Sequence, residues 1–225
     1  MFDVAQWNEI QHRIDLLAPA RDVTVVAVSK GQPVAAMRAA VAAGVTALGE
    51  SYVQEALDKR SQLMDLAVEW HFVGRIQSNK TTALAQNFDW VHGVMDERQA
   101  QRLSRAREAA GEEPLQICLQ VNVSGEPGKA GIAPELLEEL AAYVTTLPGL
   151  RLRGLMALPE VRRGEGVVSR SRFAAVRQWK EGLERHQGVK LDTLSMGMSG
   201  DYELALEEGA TLLRLGTALF GSREK

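Results

Sequence analysis

The sequence predicts an α/β protein, a single TIM (β/α)8 barrel spanning residues 1–225 behind an N-terminal helix. Three observations predict it. Short apolar runs alternate with helical patterns from end to end, eight such runs are present, and the eighth comes at the end of the chain, where it can meet the first. Strands that alternate with helices imply parallel pairing through right-handed crossovers. Eight units can close into a barrel, and 225 residues falls toward the small end of its range. An open doubly wound sheet is the competing architecture.

The elements follow in order. Val4, Trp7, Ile10, Ile14 and Leu17 recur at helical spacing over Asp3–Leu17. Val23–Val28 is a β-branched run suited to a strand buried on both faces. Pro33 opens a helix that Gly44 closes, the usual asymmetry of helix ends. Further strands are expected at Val45–Leu48, Trp70–Val73, Trp90–Val94, Leu115–Val123, Leu152–Leu158, Thr193–Met196 and Leu212–Leu215. Helical patterns separate them, near Val53–Leu66, Ser78–Gln86, Glu97–Ala109, Pro134–Leu147, Arg172–His186 and Tyr202–Glu208. Two joints are long, Ser124–Ala133 and Pro159–Ser171, and the second, rich in Arg, Glu and Gly, reads as mobile.

Composition narrows the function classes. A net charge of −3 gives no general attraction for nucleic acid or anionic membrane. Arg151, Arg153, Arg162, Arg163, Arg170 and Arg172 form a basic cluster that reads as solvated surface in preference to a phosphate or partner patch. Cys118, the only cysteine, lies in an apolar run and reads as a small buried hydrophobe in a reducing compartment. No signal-peptide pattern opens the sequence, and no run reaches the roughly 18 apolar residues of a membrane span. A cytoplasmic, mostly monomeric protein is expected. Cys/His clusters with metal spacing, Walker-type loops and G-x-S-x-G elbows are missing from the sequence.

Barrel chemistry gathers at the carboxyl ends of the strands, with phosphates after strands seven and eight. Lys30 directly follows the first strand. It either emerges into solvent or points into the barrel mouth, where apolar walls and neighbouring cations favour the neutral amine that attacks an aldehyde. After strands seven and eight, Ser199, Gly216 and Thr217 suit a phosphate cradle: glycine admits close approach, and Ser199 can cap the next helix. The plainer reading is two tight turns with a cap. Arg214 alternates with Leu213 and Leu215 and so faces away from them, toward a bound ligand or a core carboxylate such as Glu50. His71, between Trp70 and Phe72, reads as a core histidine in preference to an acid or base.

Seven segments carry a family resemblance: Val26–Lys30, Gly49–Glu55, Trp70–Gly74, Gln77–Lys80, Gly154–Ala157, Leu194–Ser199 and Arg214–Gly221. In this order they resemble the YggS/PROSC family of pyridoxal 5′-phosphate (PLP) homeostasis proteins, and the likeness runs from about Val23 to Gly221. That family is similar in fold to the barrel domain of alanine racemase, fold type III. The resemblance implies that Lys30 holds PLP as a Schiff base and that Arg214 lies near the pyridine nitrogen. It also implies that Ser199, Gly216 and Thr217 meet the phosphate, with Ser195 close by. Ser51 departs from the family pattern, which usually has Asn there.

The resemblance implies a carrier that holds PLP and supplies or buffers it for apo-enzymes. The alternative is a weak PLP-dependent amino-acid racemase or decarboxylase. An arginine beside the ring would leave its nitrogen unprotonated and make the ring a poorer electron sink. A fold type III racemase takes its second base from an additional β domain, and the sequence ends four residues after Gly221, so that base is expected to be missing. A barrel enzyme for another phosphate ester is the third possibility.

Overall fold

The computed structural model describes residues 1–126, 128–159 and 166–221. The strands are β1 (Thr24–Val28), β2 (Ala47–Glu50), β3 (Glu69–Phe72), β4 (Trp90–Val94), β5 (Leu115–Val121), β6 (Leu150–Ala157), β7 (Thr193–Ser195) and β8 (Leu212–Leu215). Every neighbouring pair is parallel, and β1 pairs with both β2 and β8. Val26 lies opposite Ala47 on one side and opposite Arg214 on the other. The sheet is therefore a closed barrel, without the two unpaired edges of an open doubly wound sheet.

The helices are α1 (Val4–Leu17), α2 (Val34–Ala42), α3 (Val53–Ser61), α4 (Thr81–Asn87), α5 (Glu97–Ala110), α6 (Leu137–Thr145), α7 (Gly166–Gln187), α8 (Tyr202–Glu207) and α9 (Thr217–Phe220). The Asp3 carboxylate accepts from the Gln6 amide at 2.9 Å and starts α1, whose buried Trp7, Ile10 and Ile14 match the expected stripe. The Asp3 amide donates to the Leu219 carbonyl, and Phe2 meets Phe220 edge-on at 5.6 Å, so α1 is tied to the end of the barrel. Asp96 caps α5 in the same way, and Gly111 ends it in the left-handed conformation.

Two boundaries differ from expectation. Helix α3 stops at Ser61, short of Leu66, because turns after it swing Leu63 into the core. Helix α7 starts at Gly166, well before Arg172, so it takes up much of the joint expected to be mobile. The rest of that joint, residues 160–165, lies outside the described residues. The expected arginine patch is also divided. Arg153 sits 4.7 Å over the Trp90 ring and pairs with Asp192 at 2.8 Å, because its strand turns it toward the amino-terminal mouth. Arg170 pairs with Glu207 and Glu208, and Arg162 and Arg163 lie outside the described residues.

Strand alternation divides the interior into two environments. Val25, Ala27, Leu48, Phe72, Leu213 and Leu215 face the helices and belong to one large apolar core. Inside the barrel lie two small apolar clusters, Val26/Ala47/Leu212 and Trp90/Cys118/Met156. Burial pushes the Cys118 thiol up to about 12, so it packs as a small hydrophobe, as its position in the sequence suggests. Polar side chains also fill the interior: His71, His92, Ser195 and Arg214 are all buried.

Gly154 marks where the barrel wall is tightest. A Cβ there would lie 1.8 Å from the Thr193 carbonyl oxygen on the paired strand β7. Gly154→Ala is expected to destabilise the protein by at least about 3 kcal/mol, since backbone atoms must move. Gly182→Ala, inside α7 with open space around it, should instead stabilise by roughly 0.5–1 kcal/mol. Urea unfolding midpoints of the two variants measure both effects.

Candidate functional site

At the carboxyl-terminal mouth, closure of β1 on β8 brings the start and end of the chain together around a cavity of about 330 Å³. Its lining includes Lys30 on one side and Ser199, Gly200, Arg214, Gly216 and Thr217 on the other. Val28, Val73, Leu158 and Met198 supply apolar wall. The lining holds two cations and no carboxylate. A second cavity of about 470 Å³ adjoins it, sharing Lys30, Ser51 and Val73 and extending past Tyr52, Arg75, Gln77 and Lys80. Lys30, half-buried, therefore stands between the two cavities.

A buried ammonium fixes the backbone that carries Lys30. The Lys59 Nζ, on α3, donates to the Ser29 carbonyl at 2.7 Å, to Glu50 at 2.8 Å and to Glu55 at 2.6 Å. Glu55 in turn accepts from the Gly31 amide at 2.5 Å, and the Ser29 hydroxyl donates to Glu50 at 2.8 Å. The carbonyl before Lys30 and the amide after it are thus both held. Burial holds the Glu50 carboxyl above its ordinary range, against the opposing hydrogen bond and charge of Lys59. Sequence reasoning missed Lys59, because a lysine on an amphipathic helix reads as a solvated residue. Its spacing of four from Glu55 was the available signal.

The two loops across the mouth are tied to each other. The Ser199 hydroxyl accepts from the Ala218 amide at 3.0 Å, so Ser199 caps α9 and not α8, the helix that follows it in sequence. Asp201 instead accepts from the Met198 amide at 2.7 Å. Among the described residues, the backbone N–H groups of Ser199, Gly200, Gly216 and Thr217 find no acceptor in the chain. Four free donors beside a cation-lined cavity are complementary to an anion.

Arg214 lies under this mouth, 4% exposed. One terminal nitrogen donates to the Ser195 hydroxyl at 2.7 Å and the other to the Ala157 carbonyl at 2.9 Å. Glu50, the carboxylate suggested as its core partner, belongs to Lys59 instead. Burial brings the Arg214 pKa down to about 10, which leaves it charged at neutral pH. Ser195 lies behind Arg214, fully buried, and is not among the residues lining the cavity. Lys30, Ser199, Arg214, Gly216 and Thr217 do share the cavity. His71 is a core histidine, stacked on Trp90 at 5.4 Å. His92, which sequence reasoning missed, lies between His71 and Ser195. Its alternation with the inward Trp90 on β4 was the available signal.

Fold and cavity define a class: a parallel (β/α)8 barrel whose carboxyl-terminal mouth joins a lysine at the first strand to an anion-complementary surface at the last. The family model for the alanine racemase N-terminal domain matches residues 6–224. The chain is 54% identical over 202 residues to the pyridoxal phosphate homeostasis protein of Pseudomonas aeruginosa, covering 90% of this chain and 85% of that one. The Escherichia coli protein of the same name is 44% identical over 211 residues, covering 90% and 87%. The structure of PipY from Synechococcus elongatus with PLP bound superposes with a TM-score of 0.84 at 38% identity, over 94% of this chain and all of that one, 100%. Alanine racemase of Clostridium difficile shares the fold, with a TM-score of 0.77 at 14% identity over 100% of this chain and 58% of that one. The chain belongs to the pyridoxal phosphate homeostasis protein family, within the wider alanine racemase N-terminal domain family.

Removing one partner from a buried ion pair leaves an uncompensated charge. Lys59→Met is expected to lower stability by about 3–5 kcal/mol at pH 8, and adding Glu50→Gln should recover a large part of it. Chemical denaturation of the single and double variants checks this, and a double variant no better than the single one would contradict it.

Proposed function

We propose that this protein binds PLP reversibly at the carboxyl-terminal mouth and supplies or buffers it for PLP-dependent apo-enzymes. One observation carries the reading: a single cavity joins a primary amine at the end of β1 to Arg214 and four unpartnered backbone donors at the ends of β7 and β8. That donor set fits a phosphate at one end and an aldehyde at the other. The relatives named for PLP homeostasis and the PLP-bound PipY structure support it.

When bound, PLP supplies an aldehyde that an amine captures reversibly, and a ring that can withdraw electrons. Lys30 is the residue that makes the covalent link, and the Lys59–Glu55 clamp holds its backbone for that purpose. Ser199, Gly216 and Thr217 receive the phosphate. Arg214 would meet the ring as a charged donor, and Ser195 would act through Arg214. Lys30 lines both this cavity and the larger one beside Tyr52, an arrangement that would suit holding and release more than turnover. Both barrel histidines are fully buried beneath Arg214, with ring nitrogens engaged to each other, which argues against their acting as the second base of a racemase.

Among the described residues no helix is long and apolar enough to cross a membrane. We place the protein in the cytoplasm as a monomer, with PLP and apo-enzymes as its partners. Borohydride reduction of the PLP-loaded protein followed by peptide mass analysis tests the reading. A pyridoxyl adduct on Lys30, lost in Lys30→Ala, is expected, and an adduct elsewhere or none overturns it. Incubation with an apo-enzyme should activate that enzyme beyond the level that free PLP released from the protein gives. Equal activation would contradict the carrier role.

A further inference from the structure

A chain of buried polar groups runs down the barrel axis from one mouth to the other. The Arg214 Nη1 lies 2.7 Å from the Ser195 Oγ, which lies 2.8 Å from the His92 Nδ1. The His92 Nε2 is 2.9 Å from the His71 Nδ1. The His71 Nε2 lies 3.5 Å from the Glu69 carboxylate, within ion-pair range but without a hydrogen bond, and Glu69 is 59% exposed. These residues come from β8, β7, β4 and β3, so no single stretch of sequence contains the chain. Glu69 and His71 also line a cavity of about 270 Å³ at the amino-terminal mouth, with Trp90 and Arg153.

The Arg214 end fixes the direction of every hydrogen bond, and the charge of the Glu69 carboxylate suits the same order. Arginine only donates, and a carboxylate only accepts. Ser195 accepts from Arg214, so its one proton goes to the His92 Nδ1. His92 then carries its proton on Nε2 and gives it to the His71 Nδ1. His71 carries its proton on Nε2, aimed at Glu69. The opposite arrangement would leave the Ser195 hydroxyl proton buried with no acceptor, at a cost of about 1–3 kcal/mol. This ordering requires both imidazoles to be neutral. Burial lowers the pKa of His71, and burial with the nearby charges of His71 and Arg214 lowers that of His92 further.

We propose that Ser195, His92 and His71 act as positioning residues, a one-way hydrogen-bond chain that ends electrostatically on Glu69 at the far mouth of the barrel and holds the Arg214 guanidinium in the PLP cavity. The Ala157 carbonyl holds one terminal nitrogen of Arg214. The chain holds the other, so the plane of the guanidinium is set from both sides. The role assigned to Arg214 rests on the PLP reading above, whereas the order of protons does not.

Nitrogen-15 NMR of the imidazoles in the PLP-free protein at pH 8 tests the proton order. Both His71 and His92 are expected as neutral Nε2–H tautomers, and an Nδ1–H tautomer at either overturns the chain whatever the protein binds. The positioning role is read from PLP affinity and the visible absorption band of the loaded protein. Ser195→Ala should weaken PLP binding about tenfold and shift the band, as expected for a lost hydrogen bond to a charged group. Glu69→Ala, at an exposed position that leaves folding intact, should weaken it about two- to threefold, and Glu69→Gln, which keeps an acceptor oxygen, should match the unmodified protein. Unchanged affinity and spectrum in both alanine variants would overturn the positioning role. If borohydride fails to label Lys30 in the unmodified protein, the PLP reading is what has failed, and the tautomers still decide the chain.

Discussion

Everything at the mouth of this barrel depends on the pairing of its first strand with its last. The register that sets Val26 opposite Arg214 carries the end of β1 alongside the end of β8. Lys30 and Gly216, separated by most of the sequence, then line one cavity. An open sheet would leave the same residues on opposite edges, and the same motifs would then have no common ligand. The pairing is itself a product of ordinary forces: Val25, Ala27, Leu213 and Leu215 bury their outer faces under the helices, and parallel ladders satisfy the backbone between them.

Closure alone does not orient the side chains. The buried interior departs from an all-apolar filling in two places, one between the sheet and α3 and one on the barrel axis, and each departure serves a residue at the mouth. Near β1 and β2, Lys59 inserts from α3 and holds the backbone on both sides of Lys30 through Ser29 and Glu55. On the axis, Ser195 and the two histidines reach Arg214 from below. Buried polar groups weaken a core unless each finds a partner, so such clusters usually carry a function that an apolar core would not. The contacts found here give nearly every member one. Glu50 Oε2, a buried carboxylate oxygen next to the clamp behind Lys30, and His71 Nε2, at the far end of the axial chain, are the exceptions without a hydrogen bond.

Much of this was legible in the sequence, because short-range patterns report on local burial. Val23–Val28 reads as a strand with apolar faces on both sides, and Lys30 is notable only because it follows that run directly. Alternation alone turned Arg214 away from Leu213 and Leu215, and it does enter the barrel. Its partner was not legible. Glu50 was the available carboxylate on paper, yet Lys59 reaches it first from a helix whose inward turn the local pattern does not mark. Ser199 was assigned to the helix after it, while the folded chain presents a nearer amide at Ala218. Both differences arise from contacts between elements far apart in sequence, which periodicity does not encode.

A structure of the protein crystallised with PLP is the most direct measurement of this arrangement. Continuous density from the Lys30 Nζ to the ring, with the phosphate against the amides of Ser199, Gly216 and Thr217 and Arg214 beside the ring, is the predicted result. A phosphate lodged in the wider cavity near Arg75 and Lys80, with Lys30 unmodified, would contradict it.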